Sequence, residues 1–155
     1  MNRFEGRLTA ICIAPAKAAP MQRVEEVDAV AGQGLAGDRY ANAGGTFEGG
    51  QITLIEQEAL VAAEAGYELA FTHEQSRRNL LTEGVPLNHL VGRCFRVGPV
   101  VIRGLELCEP CGHMERLSEV PGSRKALIHR GGLRAEIVSG GTLRAGDAIV
   151  PCDEP

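Results

Sequence analysis

Residues 93–107, RCFRVGPVVIRGLEL, decide the fold. Two short runs rich in β-branched and aromatic residues meet at Val97-Gly98-Pro99, which reads as two strands joined by a turn. The same pattern extends outward in both directions. Upstream, RLTAICIA (7–14) reads as a first strand, VEEVDAV (24–30) as an exposed strand broken by charge, and QITLI (51–55) as another. RRNLLTEG (77–84) reads as a strand with a short apolar half, and PLNHLVG (86–92) as a turn or single helical turn. Downstream, LRAEIVSGGTLRAGDAIVP (133–151) gives two more strands around Gly140-Gly141, with a turn at Ala145-Gly146-Asp147. The one good helix is EQEALVAAEAGY (56–67), rich in alanine and glutamate and stopped by Gly66; HMERLSEV (113–120) is a short second one, broken by Pro121-Gly122. GQGLAGDRYANAGGTFEGG (32–50) is too glycine-rich for an element and reads as a long surface loop. The expected architecture is mainly β: a closed or nearly closed barrel of about seven strands with one or two short helices. There is no repeat, linker or low-complexity tract, so residues 1–155 form one domain.

Composition excludes several classes of function. At 44% hydrophobic and 23% charged residues, the chain is an ordinary globular protein rather than a disordered one. No apolar run approaches the roughly 18 residues of a membrane span. The N-terminus, MNRFEGRLTAICIAP, has no long apolar core followed by a small-residue cleavage site, so the expected location is cytoplasmic. Five cysteines with no regular framework are then expected as thiols, not disulfides. A net charge of -4 argues against a general nucleic-acid binder. Fourteen arginines against only Lys17 and Lys125 suit bidentate anion recognition, although an arginine-rich genome explains the bias equally well.

The stretch LCEPCGHMERL (107–117) carries the chemistry. Cys108, Cys111 and His113 offer three zinc ligands, with His73, His89, His129, Cys94 or Cys12 as a fourth, but there is no second CxxC to pair with them. The zinc deaminases need H-x-E before P-C-x-x-C, and this chain has C-x-P-C. A thioredoxin-like redox pair needs its CxxC at a helix start in a βαβ unit, and the surroundings here read as a barrel. Two buried structural thiols remain open as well, although Glu109, Pro110, Gly112 and His113 give the segment the character of a loop.

Four segments in order, GDRY (37–40), RRNLLTEGVPLNHLVGRCFRVG (77–98), LCEPC (107–111) and GGLRAEIVSGGTLRAGDAIV (131–150), resemble the MOSC domain, the module named after the C-terminal domain of molybdenum cofactor sulfurase. The resemblance covers about residues 5–151 and implies a β-barrel of the MOSC and PK-barrel type. It also implies that Cys111, preceded by Pro110, ligates molybdenum or carries sulfur, since thiolate is a soft donor and can hold a persulfide. Cys108 is by the same comparison a structural or resolving thiol. Arg77, Arg78 and Asn79 match the family's R-x-N strand, where an arginine and the asparagine face the pterin of the molybdenum cofactor (molybdopterin). Strand alternation then places Arg77 and Asn79 in the same cavity as Cys111, with Arg78 pointing away. Arg39 is the candidate for reaching the anion, with Asp38 capping a turn; Gln51 begins a pocket-lining strand, and His113 tunes the Cys111 thiolate. Gly131-Gly132 and Gly140-Gly141 read as turn geometry.

The implied activity is reduction of N-hydroxylated or amidoxime-like compounds by bound molybdenum cofactor. An external electron-transfer reductase is then required, because the chain shows no flavin, haem or iron–sulfur signature. The competing functions are a carrier that receives sulfur or cofactor from a donor protein and delivers it to an apoenzyme, and a barrel that binds a small anion, zinc or a protein without chemistry. Pyridoxal phosphate enters only by family association, through the aminotransferase-like part of the sulfurases, and this chain shows no site for it.

Overall fold

The computed structural model describes residues 3–42, 50–110 and 112–152. Their strands are β1 (Gly6–Ile13), β2 (Gln22–Val24), β3 (Glu26–Val30), β4 (Gly34–Leu35), β5 (Ile52–Glu56), β6 (Leu80–Glu83), β7 (Cys94–Val97), β8 (Val100–Leu107), β9 (Leu133–Ser139), β10 (Gly141–Arg144) and β11 (Ala148–Pro151). The helices are α1 (Arg39–Asn42), α2 (Gln57–Tyr67), α3 (His73–Ser76), α4 (Gly112–Ser118) and α5 (Ser123–Ala126), with a 3-10 turn at Leu87–Leu90.

Seven strands close into a barrel in the order β11-β7-β8-β9-β5-β6-β1, with β1 returning to β11 through Gly6↔Ile149 and Arg7↔Ala148. The pair β7–β8 forms the hairpin expected at Val97-Gly98-Pro99, in the register Val97↔Val100 to Cys94↔Arg103. β2 extends β1, while β10, β3 and β4 form a small separate sheet.

Among the described strands only β5 and β6 pair in parallel, through Leu54↔Leu80 and Ile55↔Leu81. A parallel pair needs a crossover, and residues 57–79 supply it with α2 and α3. That crossover covers the outside of the barrel, so both faces of β5 and β6 are buried and the apolar run in QITLI is continuous rather than alternating. Ile52, Leu54 and Leu80 point into the barrel interior with Leu8, Ile11, Phe95, Ile102 and Leu133. Ile55 and Leu81 point outward against Ala59, Leu60 and Ala63 of α2, Phe71, Met114, and Ala126 with Leu127 at α5.

The differences from expectation have local causes. The segment 32–50 is not structureless: β4 and α1 lie within it, while 43–49 are outside the described residues. The stretch 133–151 yields three strands, because Gly140-Gly141 ends β9 and starts a strand that leaves the barrel to pair with β3. The strand expected from residue 77 begins only at Leu80. Among the described residues no helix is long and apolar enough to cross a membrane.

Candidate functional site

The late start of β6 follows from α3. Thr72 and Gln75 form a capping box: the Gln75 N–H donates to Thr72 Oγ1 (3.2 Å) and the Thr72 N–H to Gln75 Oε1 (2.9 Å). The helix ends at Arg77 in the left-handed conformation (φ 60°), whose N–H donates to the Glu74 carbonyl. Arg77, Arg78 and Asn79 are therefore a turn leading into a strand, and the alternation expected for them does not hold. The Arg77 guanidinium donates to the carbonyls of Lys17 (2.9 Å) and Ala19 (2.8 Å). Arg78, expected to point away, instead turns inward and is 7% exposed. Its Nε donates to Gly131 O (2.7 Å) and its Nη2 to Cys108 O (3.1 Å). The arginine that braces the cysteine segment is thus Arg78.

Asn79 is fully buried. Its Oδ1 accepts from Thr53 N (3.0 Å) and Thr53 Oγ1 (3.1 Å), and its Nδ2 donates to Cys12 O (3.1 Å). The side-chain amide thus ties β1 to β5 where the ladder has not yet begun, and both ends of the amide are occupied by protein. Gln51 has a similar role: its Oε1 accepts from Ile137 N (2.9 Å), bracing β9.

Arg39 lies beside Arg77. Its Nη1 donates to Asp38 Oδ1 (3.0 Å), and its Nη2 donates to Tyr40 Oη (3.1 Å) and Arg77 O (2.8 Å). Asp38 is fully buried and also accepts from Ala14 N (3.0 Å) and Tyr40 N (3.4 Å), the capping role expected of it. Burial, and then the neighbouring Arg39 charge, hold the Arg77 guanidinium below its ordinary pKa. Arg39 pairs with the Asp38 carboxylate, whereas the Arg77 guanidinium is held by the backbone carbonyls of Lys17 and Ala19, which leaves a net positive region bounded by residues 17–19, 38–40 and 77.

The cysteine segment leaves β8 against the start of β9. Cys108 is buried, and its N–H donates to Gly132 O (2.7 Å). Gly131 and Gly132 do more than make a turn. A Cβ at Gly131 would collide with the Cys108 carbonyl oxygen, and one at Gly132 (φ 113°) with the Leu54 carbonyl oxygen. Glu109 accepts from His129 N (2.9 Å) and pairs with His129 Nδ1 (3.1 Å), fixing the outer edge of the loop. Arg134 lies beside Cys108 and Glu106; burial opposes its charge, but those two neighbours together raise its pKa. Cys111 and the side chain of His113 lie outside the described residues, with the His113 backbone in α4. No disulfide forms among Cys12, Cys94, Cys108 and Cys152. Of the suggested zinc ligands, Cys12 and His73 lie together, but with Glu74 and not with Cys108. A groove of about 540 Å³ on the outside of the barrel, lined by Cys94, Arg96, Val101, Arg103, Val138, Pro151 and Cys152, includes one of the suggested fourth zinc ligands, Cys94, and none of the candidate cofactor residues.

The model of the MOSC domain family matches residues 39–150, which include the Asp38-adjacent arginine, the Arg77–Asn79 turn and the cysteine segment. The chain belongs to the MOSC domain family. Solved structures share its fold at low sequence identity. The YuaD protein from Bacillus subtilis superposes with a TM-score of 0.80 at 16% identity, covering 98% of this chain and 99% of its own. YiiM from Geobacillus stearothermophilus gives 0.74 at 18% identity, covering 96% of this chain and 75% of its own. YiiM from Escherichia coli gives 0.68 at 18%, covering 100% and 72%. No curated protein matches the sequence.

Two features of the site were not anticipated from the sequence. Arg78 carried no signal beyond its neighbour Arg77, and Thr53 none at all. The capping-box spacing THEQ (72–75) was a legible signal that a helix precedes Arg77, and it predicts the displaced start of β6.

Proposed function

We propose that this MOSC domain binds the molybdenum cofactor and reduces N-hydroxylated compounds with electrons from a separate reductase. The observation that supports this most is the Arg39–Arg77 pair. Arg39, paired with Asp38, lies beside Arg77, whose guanidinium is held by carbonyls and not by a carboxylate, so the excess positive charge is one that an anionic group would neutralise. The residues fit the group in both of its chemical characters: Arg39 and Arg77 suit a phosphate, and the thiolate of Cys111 suits a metal with sulfur ligands. When bound, the cofactor supplies two-electron chemistry at molybdenum. The chain's own part is to hold it. Arg78 pins the carbonyls of Cys108 and Gly131 and so fixes the segment that leads into Cys111. In this reading the anion contact falls to Arg77 and Arg39, which carry charge and have N–H groups beyond those donated to protein, rather than to Asn79, which is uncharged and whose amide is held by Thr53 and Cys12.

The test is metal and pterin analysis of the protein produced with an intact cofactor pathway. Stoichiometric molybdenum that disappears in Cys111→Ser and falls in Arg77→Ala supports the proposal. Labile sulfur without molybdenum would overturn it in favour of a persulfide carrier, and a Cys111→Ser protein with unchanged loading would remove Cys111 from the site.

A further inference from the structure

Cys12 on β1 and the first two residues of α3, His73 and Glu74, form a second cluster that the proposed cofactor site does not use. Cys12 Sγ lies 3.5 Å from His73 Nδ1 and 3.8 Å from Glu74 Oε1, and the three ligating atoms all fall within 4.8 Å of one another. These separations can be compared with the edges of a metal tetrahedron. With zinc–sulfur at about 2.3 Å and zinc–nitrogen or zinc–oxygen at about 2.0–2.2 Å, tetrahedral angles give sulfur–nitrogen and sulfur–oxygen edges of about 3.5 and 3.6 Å. The first edge is already in place, and the second needs a shift of a few tenths of an ångström.

The surroundings fit a cation as well. Cys12 is fully buried and His73 is 3% exposed, while the Glu74 side chain is 41% exposed and opens the cluster to solvent on one side. The cluster belongs to a rigid part of the fold, since Cys12 N donates to Asn79 O, Cys12 O accepts from Asn79 Nδ2, and the capping box fixes the start of α3. His73 Nδ1 faces the Cys12 thiol at 3.5 Å, a weak hydrogen-bond partner that a cation held by both atoms would replace with two strong bonds. Charge also balances. A divalent cation with one thiolate, one carboxylate and a neutral imidazole sums to zero, and binding expels the Cys12 thiol proton to solvent. Among the described residues the cation that competes for Glu74 is Arg23, whose Nη2 lies 2.8 Å from Glu74 Oε1 on a half-exposed side chain able to swing away.

We propose that Cys12, His73 and Glu74 form a site for a zinc-like divalent cation, with a solvent-facing fourth position, separate from the Cys111 segment. The test titrates the metal-free full-length protein with cobalt(II), reading the thiolate-to-cobalt charge-transfer band, and then competes the cobalt away with zinc. A saturable equimolar band is expected that persists in Cys111→Ser and is absent in Cys12→Ser. Because Cys12 is buried, two surface variants make the test independent of folding of that mutant. Glu74→Gln should weaken binding by roughly tenfold or more, on the scale of losses at metal-site carboxylates. Arg23→Gln should tighten it, since a competitor for Glu74 is removed; a purely structural Arg23–Glu74 pair gives no such gain. The proposal is overturned by a wild-type protein with no saturable band, by a band that survives in Cys12→Ser, or by weaker binding in Arg23→Gln.

Discussion

Replacing Arg78 with methionine tests whether the guanidinium holds the cysteine segment in place. Methionine keeps most of the stem and its packing while deleting every donor. Two short hydrogen bonds vanish, to Gly131 O at 2.7 Å and Cys108 O at 3.1 Å, together with a long one to Ser76 O at 3.4 Å. Each buried carbonyl left without a partner costs about 1–3 kcal/mol. Removing a buried charge returns part of that loss, because the guanidinium no longer has to be desolvated. The balance is a loss of about 3 kcal/mol. In a chain of this size about 1 kcal/mol moves Tm by roughly 2–4 °C, so the expected fall is about 6–12 °C. Arg78→Lys keeps the charge but reaches only one of the two carbonyls, and should lose about half as much.

The assay is urea unfolding followed by circular dichroism, with hydrogen exchange at the Cys108 amide as a local readout. That N–H donates to Gly132 O at 2.7 Å within the junction that Arg78 braces, so its protection should fall in Arg78→Met. Arg77→Met is the control. Its acceptors, Lys17 and Ala19, lie in a loop open to water, which can replace the lost donors. A loss below about 1 kcal/mol in Arg78→Met, or unchanged protection at Cys108, would refute the reasoning.

Burial pushes His73 down to about 4 from 6.5, against the pull of the nearby Arg78 and Asn79 backbone, and it pushes the Cys12 thiol up to about 12 from 9.0 with Glu74 adding to the effect. The unfolded chain therefore binds the extra proton between about pH 6.5 and 4, so the His73 contribution is complete above pH 6.5 and is lost as pH falls, by about 3 kcal/mol in all. For Cys12 the folded state holds the extra proton, and its contribution is lost as pH rises from about 9 towards 12; urea midpoints should show both slopes, with His73→Gln flattening only the acid one. Gly131→Ala should cost about 1–3 kcal/mol by urea unfolding and lower cofactor loading, because its Cβ displaces Cys108 and Pro110. Arg77→Ala should release cofactor on dialysis with little change in the unfolding midpoint, whereas Arg77→Lys, which keeps the charge but not the fork, should retain part of it.

The barrel was legible because its determinants are local. Val97-Gly98-Pro99 turns one strand into the next, Gly66 falls near the end of α2, and the apolar runs at 7–14, 51–55 and 133–139 match β1, β5 and β9 within a residue or two. The two-stranded reading of 133–151 failed where the deciding interaction is distant: β10 finds its partner in β3, more than a hundred residues earlier. The short helices α3 and α5 have four residues each, too few for a periodic apolar signal.

The site was less legible, and Arg77 shows why. Assigning faces by alternation assumes that the strand begins where its pattern begins. One left-handed residue at the end of a one-turn helix breaks that assumption, and the three residues RRN then diverge: Arg77 to the 17–19 loop, Arg78 to the Cys108 carbonyl, Asn79 into the β1–β5 seam. The family resemblance singled out the candidate segment but not the directions of its side chains, which the left-handed Arg77 decides. Cys12 and His73 make the complementary case. They are separated by 61 positions, and no spacing rule connects them. What joins them is the placement of α3 beside β1, because the crossover that makes β5 and β6 parallel must return its chain to Asn79 opposite Cys12. The cluster is thus a product of topology, and the parallel pair that sets it in place also sets Arg77 beside Arg39. A substitution that shifts the β5–β6 register, such as one at Thr53 or Asn79, should therefore disturb both sites together, whereas Glu74→Gln should disturb only the cation site and Arg77→Ala only the anion site.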